Sequence, residues 1–201
     1  LNQCPHQLDL LQWICGLPKT VQAFCQEGKW HDIEVEDDVT AYLQFANGAT
    51  GVFGTTTGEA PGTNRFEGTG TLGKLVCEND KLTFWKLAQD EREFCRTATE
   101  GFAQPQCQQV EVETDGESLQ HVGVLNAFAG KILHGTPLVA EGTEGLGGLT
   151  LSNAMQLSSW LGRAVAIPFY EELFLTDLNK RRATSRKKES KGITFSTEGT
   201  Y

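Results

Sequence analysis

The first apolar positions of the chain repeat at helical spacing: Leu8, Leu11 and Cys15 follow Pro5 and precede Gly16 and Pro18. Proline suits a first helical turn, where its missing N–H has no partner to lose, and glycine followed by proline ends a helix. A short helix is therefore predicted from Pro5 to Cys15. The period then falls to two. A strand is expected around Val21 to Cys25, and a polar loop from Gln26 to Glu36. Val39, Ala41, Leu43 and Phe45 alternate with Thr40, Tyr42 and Gln44, and Asn47-Gly48 separates them from a second β-like run, Ala49 to Thr57. Asn-Gly between two such runs predicts a two-residue hairpin turn with positive φ at both central residues. Further strands are expected at Arg65 to Gly68, Lys74 to Glu78 and Lys81 to Lys86, with Asn79-Asp80 as a turn, and around Val110 and Val112. The last third returns to the helical period. Leu119, Val122, Leu125, Phe128, Ile132 and Leu133 form a stripe ended by Gly135, with Pro137 beyond it. A second helix carries Leu149, Asn153, Leu157, Trp160 and Leu161, and a third, short one follows Pro168. One helix, a run of strands and then helices predict an α+β fold, a mostly antiparallel sheet with helices on one face.

Composition narrows the class. The 201 residues, 39% hydrophobic and 9% aromatic, suffice for one substantial core. No apolar run approaches the roughly 18 residues of a membrane-spanning helix, so no membrane partner is expected. Leu1 opens directly in a patterned segment with neither Met nor a charged leader, and the chain is read as part of a longer protein. The six cysteines form no C-x-x-C pair, which gives a metal site no support and points to free thiols in a reducing, cytoplasmic setting. Charge is uneven: residues 1–179 carry 10 Lys or Arg against 24 Asp or Glu, and residues 180–201 carry 7 against 2. An acidic body argues against nucleic acid as a partner. The basic run from Lys180-Arg181-Arg182 to Arg186-Lys187-Lys188 lacks interleaved aromatics and reads as a solvated, flexible tail. The expected division is a substrate-binding and oligomerisation domain over 1–179 and a tail over 180–201.

Candidate chemistry concentrates at the start. His6 falls in the first turn of the predicted helix, where the helix dipole disfavours a proton on the ring, and Asp9, three residues on, acts in the opposite sense and can orient it. That balance suits a general acid/base. Asn2 and Gln3 can hydrogen-bond substrate hydroxyls. A structural reading stands beside this one: Asn2 satisfies free N–H groups at the helix start, and His6 is a hydrogen-bonded structural residue. His31, beside Asp32 in an acidic loop, is read as a solvated loop residue or as a contact to a substrate or a neighbouring subunit, and His121 and His134 as structural. The loop Gly58 to Arg65 joins strands and offers Asn64 and Arg65 as binding groups, or else caps a sheet edge or meets another subunit. No Gly-x-Ser-x-Gly elbow supports a hydrolase. No strand–Gly-x-Gly-x-x-Gly–helix encodes a dinucleotide site, and the glycine-rich 142–148 reads as a helix lead-in.

Several segments, in this order and spacing, resemble the glucose–fructose oxidoreductase/inositol dehydrogenase (Gfo/Idh/MocA) family. They are Leu1-Asn2-Gln3-Cys4-Pro5-His6-Gln7-Leu8-Asp9, Trp13-Ile14-Cys15-Gly16-Leu17-Pro18, Val35-Glu36-Asp37-Asp38-Val39-Thr40-Ala41, Phe45-Ala46-Asn47-Gly48-Ala49-Thr50-Gly51, Gly73-Lys74-Leu75-Val76-Cys77-Glu78 and Leu125-Asn126-Ala127-Phe128. The resemblance covers about residues 1–175. It implies a C-terminal domain with a large open antiparallel sheet, the Rossmann half lying ahead of Leu1. It implies hydride transfer between a sugar or polyol CH–OH group and NAD or NADP, the cofactor being held mainly by that half, and a homo-oligomer formed through the sheet face. His6 matches the His of the family's Asp-x-x-x-His pair; Asn2 stands where the Asp would be and carries over as a substrate-binding residue. This chain alone is then expected to be inactive. The competing expectation is a non-enzymatic carbohydrate-binding or assembly module that keeps the fold.

Overall fold

The structure, a computed structural model, describes residues 1–116 and 119–186. It divides into two compact units, Leu1–Gly58 together with the chain from Ala140, and Glu59–Val139. The α+β class expected from the sequence is present, with the strands shared between two four-stranded antiparallel sheets among the described residues.

The first unit contains α1 (Pro5–Cys15), β1 (Thr20–Glu27), β2 (Glu36–Gln44) and β3 (Thr50–Thr56). After the second unit the chain returns with a 3-10 turn (Gly142–Glu144), α4 (Gly145–Leu161), β8 (Val165–Ala166) and α5 (Glu171–Thr184). The strand order is β3-β2-β1-β8. Alternation puts Val21 and Ala23 of β1 and Val39, Ala41 and Leu43 of β2 on one face, where they pack with Leu151, Ala154 and Met155 of α4 and Leu8 of α1. The buried face of α4 is therefore not the one marked by Leu149, which is exposed; Leu151, Ala154, Met155, Leu157 and Ser158 form it instead. The opposite sheet face leaves Phe24, Tyr42 and Val52 exposed.

Strand β8 pairs with β1 at Thr20 and Val21 alone. Beyond that point the free edge of β1 is completed by side chains of α4: Ala23 N–H donates to Ser158 Oγ and Cys25 N–H to Ser159 Oγ, both at 3.0 Å. Ser158 Oγ in turn donates to Arg163 O (2.7 Å). Helix α5 is tied to the same unit by Phe174, stacked on Trp160 at 5.3 Å, and by Arg181, which lies over Trp160 and pairs with Glu27 at 2.9 Å. The boundary expected at 179 thus falls within α5; of the tail, residues 187–201 lie outside the described residues.

The hairpin between β2 and β3 departs from its expected turn. Gly48 alone has positive φ (86°); Gly48 N–H donates to Phe45 O and Phe45 N–H to Ala49 O. This is a three-residue loop, in which the left-handed third residue needs the glycine and Asn47 stays right-handed while accepting the Ala49 N–H.

The second unit contains β4 (Arg65–Gly70), β5 (Gly73–Glu78), β6 (Lys81–Leu87), α2 (Glu91–Thr97), β7 (Cys107–Val110) and α3 (Gln120–His134), its sheet ordered β4-β5-β6-β7. Here Asn79 (φ 52°) and Asp80 (φ 57°) form the two-residue turn with positive φ at both positions. The last strand stops at Val110, short of Val112, and Gly135 closes α3 in the left-handed conformation as expected. Helix α2 was not expected from the apolar period; Asp90 caps it by accepting the Arg92 and Glu93 N–H groups.

Replacing Ser158 with Ala strands the buried Ala23 N–H and should cost about 1–3 kcal/mol, read as a lower denaturation midpoint at unchanged slope. The Ser159→Ala loss, at a half-buried partner, should be smaller. A Ser158→Ala protein as stable as the parent would show that the serine contact is incidental.

Candidate functional site

An open cleft of about 780 Å3 lies in the first unit. The lead into α1 gives it Leu1, Asn2 and Gln3; the segment entering β2 gives His31, Ile33, Val35, Glu36, Asp37 and Val39; Thr55, Thr56 and Thr57 come from the end of β3, and Ser152, Asn153 and Gln156 from α4. The three α4 residues share a side of the helix by their spacing. The lining surface is mainly apolar, Leu1, Ile33, Val35 and Val39 giving it an aliphatic patch, and amides and hydroxyls of Asn2, Gln3, Ser152, Asn153, Gln156 and the three threonines are set around it. Polar groups converging beside an apolar wall are what a small polyhydroxylated ligand requires.

The turn before α1 explains why Asn2 and Gln3 face outward. Leu1 and Cys4 are buried, and both the N–H and the thiol of Cys4 donate to Leu1 O, so the two residues between them stay exposed. Cys4 itself occupies the N-cap, without a side-chain cap. Asn2 is thus not the helix cap, and its amide is left at the cleft.

The opposite wall is built around one carboxylate. Asp37 has the same strand parity as Val39, Ala41 and Leu43 and is 4% exposed. Its Oδ1 accepts Lys29 N–H (3.0 Å), and its Oδ2 accepts Trp30 N–H (2.8 Å), His31 N–H (2.9 Å) and the His31 ring at Nδ1 (3.3 Å). Burial by itself would push this carboxyl up, but the donated N–H groups outweigh it and hold the group at about 2. Asp37 O accepts Thr57 N–H (3.0 Å) and the Thr56 and Thr57 hydroxyls (3.3 and 3.4 Å), tying the loop to the end of β3. Gly28 makes the bend possible: its φ is 60°, and a Cβ there would stand 2.7 Å from Ile33 O. Next along, Asp38 accepts Lys29 Nζ (2.7 Å) and Trp30 Nε1 (3.3 Å), and the Lys29 ammonium heads the causes that lower its pKa. Glu36 accepts Gln156 Nε2 (3.0 Å), joining β2 to α4 at the cleft.

The other expected residues lie elsewhere. His6 is exposed on the first turn of α1 and is not among the residues lining the cleft. Asp9 Oδ1 takes the Gln12 amide (3.0 Å), and no hydrogen bond joins it to His6 among the described residues. Asn64 and Arg65 belong to the second unit, where Arg65 pairs with Glu67 and, at 2.6 Å, with Glu78. His121 and His134 are on α3. The residue whose importance the sequence reading missed is Asp37. His31 was placed beside Asp32, whereas its ring meets Asp37; the signal was the parity of position 37, which puts a carboxylate on a buried face. The glycine-rich 142–148 forms the start of α4 against α1, with Gly147 facing Gln12 and Gly148 facing Asp9. It does not follow a strand and makes no phosphate cradle, so these residues do not fit a dinucleotide.

Residues 1–76 match the family model described as the GFO/IDH/MocA C-terminal domain. No curated protein matches the chain by sequence. Among solved structures, the chain is similar to the WlbA dehydrogenase from Bordetella pertussis in complex with NADH and UDP-GlcNAcA (TM-score 0.64, 21% identity, covering 84% of this chain and 45% of that one). It is similar to the WlbA dehydrogenase from Chromobacterium violaceum with the same two ligands (0.64, 25%, 84% and 46%). It is similar, too, to aldose-aldose oxidoreductase from Caulobacter crescentus complexed with glycerol (0.58, 19%, 81% and 45%). The chain thus spans a little under half the length of these proteins. The resemblance drawn from the sequence stands, and the fold is that of the C-terminal part of such oxidoreductases. No helix among the described residues is long and apolar enough to cross a membrane.

Because the Asp37 carboxyl lies below its ordinary 3.8, the stability it contributes is present above about pH 4 and is lost as pH falls toward 2. Hydrogen-exchange protection of the Lys29, Trp30 and His31 amides, taken relative to the intrinsic rate at each pH, should fall across that window. In Asp37→Asn these amides should exchange fast already at neutral pH; equal protection in the variant would remove Asp37 as the organiser of the loop.

Proposed function

We propose that this chain, with the GFO/IDH/MocA C-terminal signature in its first 76 residues, forms the substrate side of an NAD(P)-dependent oxidoreductase acting on a CH–OH group of a sugar or polyol. The observation that carries this reading is the cleft in which amides and hydroxyls surround an aliphatic patch, with Asn2 and Gln3 at its wall, at the start of the matched segment. In this reading Asn2 and Gln3 hydrogen-bond substrate hydroxyls, and His6, one turn along α1, takes the hydroxyl proton, with Asp9 beside it on the helix. Arg65 is left out of the set because Glu67 and Glu78 hold its guanidinium. When bound, the nicotinamide supplies the hydride acceptor; it would be held by protein outside these 201 residues. The face bearing Phe24, Tyr42 and Val52 is the surface through which we expect copies of the chain to pair.

The test is nicotinamide reduction by the complete protein with a panel of sugars, polyols and nucleotide sugars. Turnover should appear with at least one of them. In that reaction His6→Ala should lower kcat by about 10²–10⁴-fold, while Asn2→Ala should act mainly on KM. Saturable sugar binding with no cofactor reduction by any substrate would instead establish a binding module.

A further inference from the structure

Two imidazoles stand near the start of this fold, and their settings are opposite. The site reading uses His6, which makes no hydrogen bond among the described residues. His31, which the sequence offers either as a solvated loop residue or as a contact to a substrate or a neighbouring subunit, lines the cleft with its ring held from behind. Resting on the sugar or polyol reading of the cleft, we propose that His31 is a ligand-orienting residue whose Nε2 accepts a hydrogen bond from a hydroxyl of the bound sugar or polyol.

The hydrogen-bond pattern selects one tautomer of the neutral ring. Both oxygens of Asp37 already accept backbone N–H groups, so toward the ring this carboxylate acts only as an acceptor. The other neighbour of Nδ1 is Thr57 Oγ1 at 3.2 Å, and that hydroxyl gives its own hydrogen to Asp37 O. In the neutral ring the hydrogen therefore sits on Nδ1, and Nε2 is left with a lone pair. The His31 side chain is 49% exposed, so its outer edge is open while the Nδ1 edge is engaged.

Ring and loop have separable roles. The loop is anchored by three backbone N–H groups that any residue but proline at 29, 30 and 31 would supply, and by the bend at Gly28. The ring contact, at 3.3 Å, adds little to that anchorage but sets the direction of the imidazole. A ring oriented before the ligand arrives loses little conformational freedom on binding. Asn2, Gln3 and Asn153 also line the cleft and bring amides that both donate and accept, whereas Nε2 accepts only and so selects a hydroxyl at one position.

The test is nitrogen-detected NMR of the full chain, with myo-inositol, D-glucose and UDP-glucuronic acid as probes. At least one probe should move the His31 Nε2 resonance saturably, together with the side-chain amides of Asn2 and Gln3. His31→Asn keeps a donor for Asp37 at the Nδ1 position and removes Nε2. It should leave the Lys29 and Trp30 amide signals in place while weakening that probe roughly tenfold, the loss of one good hydrogen bond. If a probe moves Asn2 and Gln3 but not His31, this inference fails and the cleft reading survives. If no probe moves any of the three, both fail. Should His31→Asn disturb the loop signals, the Nε2 response of the unaltered chain decides the matter.

Discussion

Helix α4 is set on the sheet by two serine hydroxyls. A two-residue β8 leaves the β1 edge unpaired from Ala23 onward, and buried N–H groups without partners are too costly to persist. Ser158 and Ser159 take those hydrogens and, being adjacent, fix both the rotation and the height of the helix against β1. The same rotation that buries Leu151, Ala154 and Met155 turns Ser152, Asn153 and Gln156 toward the cleft. Hydrophobic contact alone would tolerate sliding; a pair of hydrogen bonds into a strand edge does not. One wall of the site is thus a consequence of how the sheet's edge is closed.

The other wall solves a related problem. Position 37 continues the inward parity of β2, and a carboxylate there must be satisfied where water is excluded. The chain meets that demand by bending the preceding loop back so that successive N–H groups converge on it, which in turn requires left-handed backbone at Gly28. Outside, Ser185 donates to Glu34 at 2.6 Å and the Arg186 N–H donates to the same carboxylate, so the loop is held from the C-terminal segment as well. A polar residue in an apolar position has thereby become the organising point of a loop that would otherwise be loosely held.

Much of this was legible in the residues, and the rest fails for physical reasons. Alternation gave β2, β3 and their inward residues, and Pro5 with Gly16 bounded α1. Alternation reports faces and not partners, so nothing in it divides the strands between two sheets. Asn47-Gly48 carried the strongest turn signal but takes a three-residue loop, because glycine is needed at a single left-handed position; Asn79 and Asp80, without glycine, adopt the two-residue form. Helix α2 escaped because its helical signal is a cap and charges, Asp90 before Glu91 and Glu93, with no apolar stripe. The site divides likewise. Asn2 and Gln3 could be placed from their position ahead of a helix, whereas the pairing of His31 with Asp37 rests on a loop bend that reverses the chain over six residues and leaves no periodic trace.

The contrast between the two histidines bears on how such a site works. A residue that orients a hydroxyl gains from rigidity, since each degree of freedom frozen beforehand is one that binding need not freeze. A residue that moves a proton needs its geometry only when the substrate is in place, and in unliganded sites catalytic hydrogen bonds are commonly long or unmade. His31, braced by a buried carboxylate, has the first character; His6, exposed on the first turn of a helix, has the second. In the proposed reading the cleft side is preformed for holding a ligand, and the proton chemistry assigned there to His6 is completed only when substrate and cofactor arrive. On that reading grip belongs to the buried groups that brace His31, and reactivity to the exposed start of α1, where His6 stands clear of the cleft lining.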